Sequence, residues 1–490
     1  MSENKYTAHR YLSDYYSKYC SVASVLNEMR SMPLDIDRIY FVSSKTTIEY
    51  NKAGFLYQLF FSGKKFIQSF AADYNSVSNA DDGKDTITIW VNWGRDQAQV
   101  LNSLVQSSFT PEYGINVEIE VVNATMVQAV LSGNAPDCIL QHTRSEPVNL
   151  AMRGVLLDLE QFDDLEEVLG RFQEGADIPY RYNGGLYALP DTQSFYLMFY
   201  RKDIFENLGL EVPETWEEYI TVIKVLARNN LQSWLHYTQI TATSQIDTGV
   251  GSLNLFPSML LQRGLSLYED DCKSTTLSSS EVIKAFKYWT DFYTKLKTPV
   301  TLSFYNRFRT GTCPIGIEPY TTYTTLKAAA PEIDGLWGVA PIPGVRNSDG
   351  TVSHVSTGGG TGCAILKSTD NPQVAWEFLK WWTEAETQYS YTQNVEAILG
   401  PTGRVAVSNI EAFNKMSWAS EMKENILSAW SQVEEIPEVP GSYYVSRSID
   451  LSFWSVVNEN INPKDVLLER SAEVDDEIER KWKQYEGRNS

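Results

Sequence analysis

The sequence predicts an α/β fold, with helices covering the faces of a parallel β-sheet, in a chain of more than one domain. From Asp85 onwards strands and helices alternate in the order β-α-β-α-β, which is typical of such a sheet. A length of 490 residues exceeds what one core supports and indicates roughly two to four domain-sized units. The 43% of hydrophobic residues, with charges interspersed, indicates a globular protein.

The α/β pattern begins with three predicted strands. TITIWV, residues 86–91, is the first, and an apolar-striped helix is predicted from Asp96 to Ser108. INVEIEVV, residues 115–122, alternates apolar and polar side chains and is the second strand. A helix over Ala124 to Leu131 then precedes a short apolar strand over Cys138 to Leu140.

Helices dominate the second half of the chain and carry recognisable start signals. Thr215 and Ser278 each stand three residues before a glutamate, the spacing of a capping box. Asn371 and Asn462 each precede a proline, which is favoured at the first position of a helix. Further strands are predicted in LWGVAPIPG and, after a glycine-rich entry, in GGGTGCAIL.

Residues 1–84 look separate from the α/β pattern. The sequence predicts a helix over Tyr11 to Met29, a strand over Ile36 to Val42 and a helix over Ala53 to Phe70. The polar linker DYNSVSNADDGKD follows. We expect an accessory N-terminal segment or the end of a truncated upstream domain, because this segment is small and irregular for an ordinary domain. The first residues, MSENKYTAHR, lack the apolar core of a signal peptide, and no segment of the sequence has the length of a membrane span.

Composition excludes several classes of function. A net charge of −21 argues against nucleic-acid binding, which requires a basic surface. The five cysteines are widely spaced without a CxxC pair, and the four histidines lack metal-binding spacing, so we expect neither a cofactor nor a metal. Cys138 and Cys363 lie in apolar runs and are predicted to be small buried residues.

Signals for an enzyme are weak. The sequence has no GxSxG elbow, and STGGGTGCAIL lacks the Lys-Ser/Thr of a phosphate-binding loop. A glycosidase would need an acid/base pair across its cleft, and Asp96 with Glu318 is the least poor pair available. We therefore expect a protein that is not an enzyme.

Polar and aromatic residues follow several of the predicted strands. In open α/β sheets ligands bind beyond the carboxyl ends of the strands, so these residues are expected to converge on one cleft. Aromatic rings stack on the faces of sugars, and arginine, aspartate and histidine bond to their hydroxyls. The candidates are Trp93, Arg95 and Asp96 after the first strand, His142 and Arg144 after the third, and Gln193, Phe195 and Tyr196 in the stretch from Gly184 to Phe205.

That stretch, GGLYALPDTQSFYLMFYRKDIF, joins a polar run to an apolar aromatic run. The apolar part is too short to span a bilayer and too aromatic for a surface loop.

The order of the motifs resembles a known family, the extracellular solute-binding proteins of carbohydrate ABC transporters, the maltose-binding-like group. The resemblance covers about residues 85–490. It is carried by TITIWVNWGRD, LSGNAPDCILQHTR, RGVLLDL, GGLYALPDTQSFYLMFYRKDIFENLGLEVPETWEEY, LWGVAPIPG and GGGTGCAILKSTDNPQVAWEFLKWW, and by a C-terminal amphipathic helix.

The resemblance implies a periplasmic-binding-protein-like fold of type II: two α/β lobes with a hinge and an interlobe cleft. Lobe one would comprise residues 85–191 and 336–398, and lobe two residues 192–335 and 399–490. Within the stretch from Gly184 to Phe205, Leu189 to Ser194 would be the crossover between the lobes and Phe195 to Tyr200 the first strand of lobe two. The further cleft residues implied by motif are Glu318 and Tyr320 in CPIGIEPYTTY, Gly358 and Gly359 in the glycine-rich return, and Tyr443, Tyr444 and Arg447 in PGSYYVSRS of lobe two.

By the same resemblance, the protein would bind a carbohydrate and deliver it to the permease subunits of an ABC transporter. The carbohydrate is expected to be an oligosaccharide that stacks on Trp93 and Tyr320. The protein would be an extracellular monomer at the surface of a Gram-positive bacterium, attached to the membrane only through an upstream anchor missing from this sequence. A carbohydrate-active enzyme, such as a hydrolase or lyase, and a binder of an acidic sugar or another non-sugar solute stay open as alternatives. The family's lipoprotein signal is absent here, residues 1–84 lie outside the two-lobe fold, and Trp93 stands where several relatives have a small polar residue.

Overall fold

The structure, a computed structural model, describes residues 86–122, 130, 133, 135–240 and 254–486. The elements predicted within residues 1–84 lie outside the described residues. The same is true of nearly all of the helix predicted over Ala124 to Leu131. No helix in the part of the chain that the structure describes is long and apolar enough to cross a membrane.

A sheet of parallel strands opens the described chain, as predicted. The first strand pairs with the second and third, with Thr86 opposite Asn116 and Ile89 opposite Cys138. The strands are β1 (Thr86–Val91), β2 (Asn116–Val121), β3 (Cys138–Thr143), β4 (Arg181–Tyr182), β5 (Gly185–Leu186), β6 (Leu189–Arg201), β7 (Ser233–Leu235), β8 (Ile315–Pro319), β9 (Trp337–Ala340), β10 (Val345–Arg346), β11 (Val352–Ser353), β12 (Ser356–Ile365) and β13 (Val433–Glu434).

Helices cover both faces of the sheet. Short 3₁₀ turns lie at Leu159–Gln161, Ile178–Tyr180, Pro331–Ile333 and Pro401–Gly403. The α-helices are α1 (Arg95–Leu104), α2 (Thr110–Tyr113), α3 (Glu146–Ala151), α4 (Leu165–Leu169), α5 (Lys202–Leu208), α6 (Trp216–Arg228), α7 (Phe256–Leu261), α8 (Ser280–Thr294), α9 (Phe304–Arg309), α10 (Thr322–Ala329), α11 (Pro372–Trp382), α12 (Ala385–Leu399), α13 (Ile410–Lys415), α14 (Ser420–Trp430), α15 (Ser442–Glu459) and α16 (Pro463–Glu486).

The predicted helix from Asp96 to Ser108 is interrupted. After α1 the chain forms a π-helical turn over Val105–Phe109 before α2 begins. Pro111 in α2 has no N–H to donate to the preceding turn, and a proline at this position loosens the helical ladder before it. The sequence pattern gave the apolar face of this helix correctly but could not show the change of pitch.

The helix starts were predicted well, with one correction. Thr215 caps α6 in a capping box, because its hydroxyl accepts the Glu218 N–H. The box predicted at Ser278 is wrong by one residue, since Ser279 is the cap of α8 and its hydroxyl accepts the Val282 N–H at 3.3 Å. A run of three serines offers more than one cap, and spacing alone does not choose between them.

β6 crosses from one half of the sheet to the other as a single strand. It pairs antiparallel with β12 from Leu189 to Phe195, with β8 from Tyr196 onwards and with β9 from Met198 onwards. The predicted division into a crossover and a separate strand therefore does not exist. The polar run stays extended because β12 supplies its hydrogen-bond partners. The glycines predicted as an entry to a strand likewise lie inside β12.

Hydrophobic cores lie on either side of this crossing. One core is formed by residues between Ile87 and Leu189 together with residues between Cys363 and Val395. Two others lie beyond the crossing, one containing Phe195 and the other Tyr196. Neighbouring residues of β6 thus enter different cores, as the alternation of side chains along a strand requires. The predicted burial of Cys138 and Cys363 is confirmed, because both are fully buried.

The last helix contacts both halves of the molecule. Leu467, Val474 and Ile478 of α16 are buried in the core that contains Tyr196. Near its end Tyr485 joins a small cluster with Tyr182 and residues of α3, beside the first core. The C-terminal helix is therefore amphipathic, as its resemblance to the family implied, and it packs against both halves.

Candidate functional site

Three segments connect the two halves of the sheet. β6 and β12 are two of them, and residues 400–409 between α12 and α13 are the third. The third segment is attached to β6: the Gln193 N–H donates to the Ala406 carbonyl at 2.9 Å, and the Ser408 hydroxyl donates to the Pro190 carbonyl at 2.8 Å. These segments form a hinge, because in the described part of the chain the passages between the cores are short extended stretches held by hydrogen bonds.

The glycines of β12 let the hinge strands lie close together. Gly360 has a φ of +150°, and a Cβ on it would lie 2.0 Å from the Thr192 carbonyl oxygen. A Cβ on Gly358 would lie 2.1 Å from a carboxylate oxygen of Glu435. Both positions therefore require glycine, and the hinge keeps its close spacing for that reason. Gly358 is buried and Gly359 is half-buried.

An open cavity of about 610 Å³ lies beside this hinge. It is bounded by the loop and helix after β1, by the end of β3, by β6 and by the third crossing segment. The carboxyl ends of parallel strands are where α/β proteins bind ligands, so this cavity is the candidate site. Its lining residues are Gly94, Asp96, Gln97, Gln141, Thr192, Leu399, Thr402, Gly403, Arg404, Val405 and Ala406.

Gln141 and Thr192 are cavity residues that the sequence analysis missed. Gln141 has a φ of +49°, and its N–H donates to the Asp191 carboxylate at 2.7 Å. Thr192 shares a hydrogen bond of 2.7 Å with Thr361 across the hinge. Gln141 lies one residue before the predicted His142. The sequence therefore indicated the correct segment but not the side chain that lines the cavity.

The residues predicted after the first strand differ in exposure. Arg95 and Asp96 are exposed at the start of α1, and Asp96 lines the cavity. Trp93 is only 7% exposed, and its ring packs 5.7 Å from Trp382 and 5.2 Å from Tyr391. A stacking role for Trp93 stays a prediction, and it requires this ring to leave its aromatic neighbours.

The residues predicted after the third strand contact protein side chains. His142 faces Glu146 at the start of α3. Arg144 is 3% exposed and donates to Glu435, to the Gly358 carbonyl at 3.1 Å and to the Ile436 carbonyl at 2.9 Å. In the described arrangement Arg144 is thus a buried link from the end of β3 to the segment that follows β13.

Gln193 belongs to the same buried network as Arg144. Its amide donates to Glu435 at 2.7 Å and accepts from the Trp430 indole at 2.7 Å. Thr192, one residue earlier, lines the cavity, so Gln193 points to the opposite face of β6. The network of Arg144, Gln193 and Glu435 therefore lies behind the hinge as seen from the cavity.

Phe195 and Tyr320 are packed against each other. Phe195 is 2% and Tyr320 1% exposed, their ring centroids are 4.7 Å apart, and Phe413 and Trp418 cover Tyr320 further. A role for Tyr320 as a sugar platform stays a prediction that would require the ring to move. Tyr196, on the other face of β6, is 3% exposed.

Glu318 lies at the edge of the second half of the sheet. It accepts from the Trp234 indole at 2.6 Å and contacts His236 Nδ1 at 2.9 Å. His236 was not among the predicted site residues. It directly follows the short strand β7, which was not predicted from the sequence. A polar residue after a strand is the pattern used for the other candidates, so His236 was missed because its strand was missed.

The residues predicted near the C-terminus face α16. The Tyr443 hydroxyl donates to Glu477, and the Tyr444 hydroxyl donates to Glu473 at 3.4 Å. Arg447 is exposed on α15. None of these residues lines the described cavity, and their role in binding stays a prediction.

Fold and site together define the class of the protein. Two α/β lobes joined by a hinge, with a cleft between them, are the architecture of periplasmic-binding-protein-like proteins of the maltose-binding type. Residues 105–409 match the family of bacterial extracellular solute-binding proteins, and the chain belongs to this family. Membership implies an exported protein.

Curated relatives bind oligosaccharides by name. The chain is 26% identical over 318 residues to the maltotriose-binding protein of Pyrococcus abyssi, covering 63% of this chain and 64% of that protein. It is 22% identical over 240 residues to the arabinooligosaccharide-binding protein of Halalkalibacterium halodurans, covering 46% of this chain and 50% of that protein. The chain thus spans between half and two thirds of the length of these relatives.

Solved structures share the fold at low sequence identity. The sugar-binding protein MalE from Xanthomonas citri has a TM-score of 0.65 at 19% identity, covering 82% of this chain and 99% of that one. The cyclic alpha-maltosyl-1,6-maltose binding protein from Arthrobacter globiformis has a TM-score of 0.64 at 18% identity, covering 81% and 100%. These likenesses show the fold.

Proposed function

We propose that the protein binds a carbohydrate of oligosaccharide size in its interlobe cleft and delivers it to the permease of an ABC transporter. The observation that carries the proposal is the polar cavity of about 610 Å³ beside a hinge of three crossing segments. Sites for small ligands have volumes of roughly 300–1,000 Å³ and lie between domains. The names of the relatives support a sugar as the ligand.

The division into lobes follows the crossing segments. We propose that lobe one comprises residues 85–191 and 336–398 and lobe two residues 192–335 and 399–490. The grouping of the hydrophobic cores supports this division except near residue 336, because Trp337, Val339 and Ile342 are buried in the cores beyond the crossing. Residues 1–84 are proposed as an accessory segment outside the binding unit. The protein is further proposed to act as a monomer at the surface of a Gram-positive cell.

Closure of the cleft is the proposed mechanism. A ligand that contacts both lobes stabilises the closed form by the difference between its affinities for the two forms. The closed surface then docks on the permease. The proposed contacts are Asp96 and Gln141 in lobe one and Thr192 at the start of lobe two, because they line the cavity with polar atoms. The other residues predicted from sequence are proposed contacts only if closure moves them.

Calorimetry and scattering test this function together. We expect isothermal titration with a panel of neutral oligosaccharides to give at least one binder, and X-ray scattering to show a smaller radius of gyration with that ligand. Asp96→Asn should weaken binding at least tenfold, because hydrogen bonds to a charged group contribute about 1.5–3 kcal/mol. Asp163→Asn, on an exposed turn of lobe one outside the cavity, is the matched control. Neither heat nor compaction across the panel would refute the proposal.

We propose binding without catalysis. The family binds solutes, and Glu318, one of the two carboxylates considered for acid/base chemistry, is held by Trp234 and His236. Incubation of the purified protein with chromogenic glycosides and with polysaccharides is expected to release no product. Turnover that disappeared in both Asp96→Asn and Glu318→Gln would establish the enzyme alternative instead.

A further inference from the structure

Trp234, His236 and Glu318 lie together at one edge of the lobe-two sheet. β7 and β8 are parallel neighbours, with Leu235 opposite Ile317. The residue after β7 and the residues at the end of β8 therefore meet at the carboxyl edge of the sheet, where α/β proteins place ligands. His236 and Glu318 keep 16% and 15% of their side chains exposed. They are partly accessible from solvent.

Hydrogen bonds fix the imidazole of His236. Glu318 Oε1 accepts from the Trp234 indole at 2.6 Å, and Oε2 lies 2.9 Å from His236 Nδ1. A carboxylate only accepts, so the proton of the neutral imidazole is on Nδ1. His236 Nε2 is then the acceptor that remains, and it lies 3.3 Å from the hydroxyl of the exposed Thr238.

The Tyr196 hydroxyl is a second polar group at this edge. The Tyr196 ring lies 5.3 Å from the His236 ring, and the residue is 3% exposed. Within the described residues its hydroxyl has no hydrogen-bond partner. An unpaired buried hydroxyl costs about 1–3 kcal/mol, and such a group in a native protein is a marker of a missing partner.

Tyr196 links this cluster to the cavity beside the hinge. Thr192, Ser194 and Tyr196 alternate along β6 and share one face of the strand. Thr192 lines the cavity, and four residues of strand span about 13 Å. The cavity and the cluster therefore lie on the same face of the crossing strand, one on the side of each lobe.

We infer that His236 Nε2 and the Tyr196 hydroxyl form a subsite of lobe two that binds a hydroxyl of a neutral sugar, with Glu318 as the positioning residue for His236. This inference rests on the proposed function and makes its ligand class narrower. A sugar hydroxyl donates to Nε2 and accepts from the tyrosine in one geometry, because it has one proton and two lone pairs. The Tyr196 hydroxyl then gains a partner, and Nε2 exchanges the hydroxyl of the exposed Thr238 for that of the sugar.

The charge of the cluster disfavours acidic sugars. Glu318 is in direct contact with His236. An anionic ligand would lie close to this carboxylate, and like charges at such short range repel. A neutral glycan has no such cost. The subsite thus distinguishes neutral from acidic sugars.

Two substitutions test the subsite. The probes are maltotriose and mannobiose as neutral glycans and trigalacturonate as the acidic one, each titrated by calorimetry. Tyr196→Phe removes only the hydroxyl and His236→Ala removes the acceptor, and each is expected to weaken the neutral ligand at least tenfold. The melting temperature of the ligand-free Tyr196→Phe protein should stay equal or rise, since an unpaired buried hydroxyl is lost. A merely structural tyrosine would not combine these two results.

Tyr288→Phe is the matched control. Its ring faces Arg263 at 4.9 Å on another part of lobe two, and this variant should bind as the wild type does. If the wild type binds a neutral glycan and both test variants bind it with the same affinity, the inference is overturned and the proposed function is not. Stronger binding of trigalacturonate than of the neutral probes also overturns it. A wild type that binds no probe on the wider panel overturns the proposed function itself.

The positioning role of Glu318 has its own readout. In Glu318→Gln the amide can present its NH₂ group to His236 Nδ1, which moves the imidazole proton to Nε2. We expect the ¹⁵N chemical shifts of His236 to change to the other tautomer and the affinity for the neutral probe to fall. Unchanged ¹⁵N shifts together with unchanged affinity would show that Glu318 does not position the histidine.

Discussion

Asp191 shows how one residue of the hinge can couple several elements. Its carboxylate accepts the Gln141 N–H at 2.7 Å and the Trp382 indole N–H at 3.0 Å, and its carbonyl accepts from Gln388 at 3.2 Å. It is 1% exposed, and burial raises the pKa of Asp191 to about 7, although both donors lower it. Both of these donors are uncharged, so burial dominates and ionisation is unfavourable in the native state.

The raised pKa predicts a dependence of stability on pH. The native state holds this proton more tightly than the unfolded chain, whose aspartate titrates near 4, so between about pH 4 and pH 7 the native state binds more protons. The contribution of Asp191 to stability therefore falls as the pH rises through this window. Relative to the wild type, Asp191→Asn should gain more than about 1 kcal/mol on moving from pH 5 to pH 8 in urea titrations. Equal differences at both pH values would contradict this.

Arg144 is a charge that the fold cannot easily lose. Its guanidinium joins the end of β3 to two carboxylates, those of Glu435 and Glu438, and all three side chains are at most 3% exposed. Removing the cation leaves two buried acids without it, and breaking such a pair costs about 3–5 kcal/mol.

Arg144→Met is therefore expected to lower the free energy of unfolding by several kcal/mol in urea titrations. Lys284→Met, which breaks an exposed pair with Glu281, should change it by less than about 1 kcal/mol. If both substitutions had the same small effect, the network behind the hinge would not stabilise the protein. Glycan titration of the same variant also tests the ligand contact predicted from sequence.

At the scale of residues, the sequence predicted which segments border the cavity better than it predicted which side chains line it. Asp96 was correctly placed beside a cavity because it follows a strand. Trp93 and Arg144 follow strands too, yet one is buried by Trp382 and the other by Glu435, partners far away in the chain. Spacing identifies the end of a strand, but only tertiary packing decides which side chains there stay accessible.

At the scale of elements, the hinge depends on β12 and its glycines. The strand pairs with β3 in one lobe and with β13 in the other, while β6 runs beside it. The prediction of a separate crossover and strand was wrong at this point. Gln193 pairs with Gly360, which is 167 residues further along the chain. Without knowledge of so distant a partner, a polar run is predicted to be a loop. Parallel order and helix faces were predictable because they repeat locally.

Gly360→Ala tests the close spacing of the hinge strands. Its Cβ would lie 2.0 Å from the Thr192 carbonyl oxygen, so the strands must separate, and overpacking of this kind costs about 1–3 kcal/mol. Gly94→Ala meets nothing nearer than 3.6 Å and is the control. We expect a lower melting temperature for Gly360→Ala only. Equal melting temperatures in the two variants would mean that the hinge accepts a side chain.

The cap of α8 can be assigned by mutation. Ser279→Ala removes the hydroxyl that accepts the Val282 N–H, and loss of such a cap costs about 1 kcal/mol. Ser278→Ala, one residue earlier, should leave the unfolding midpoint unchanged. The reverse result would restore the cap predicted from sequence.

At the scale of the whole molecule, the lobes are interleaved. Both β6 and β12 belong to both halves of the sheet, and α16 packs on the core of lobe two and beside that of lobe one. The two-lobe architecture was available from sequence only through the family resemblance. Composition and periodicity alone gave an α/β protein of several units, because hinge segments have no local signal of their own.

Trp482 is expected to couple the lobes. Its ring stacks on Tyr182 at 5.4 Å, and Lys273 of lobe two lies over it at 5.1 Å. Trp482→Ala should therefore speed hydrogen exchange in α3 as well as in the end of α16, as measured by mass spectrometry. Leu468→Ala, at an exposed position of the same helix, is the control. Faster exchange confined to α16 would show that the helix does not hold the lobes together.

The position of α16 also matters during biosynthesis. Neither lobe has all of its packing partners until this helix has left the ribosome, since lobe one waits for β12 and both lobes wait for α16. Export through a narrow translocation channel requires a chain that has not yet folded. An arrangement that delays the last packing step until α16 has been made keeps both lobes incompletely packed, and the chain competent for export, while the lobes are being synthesised.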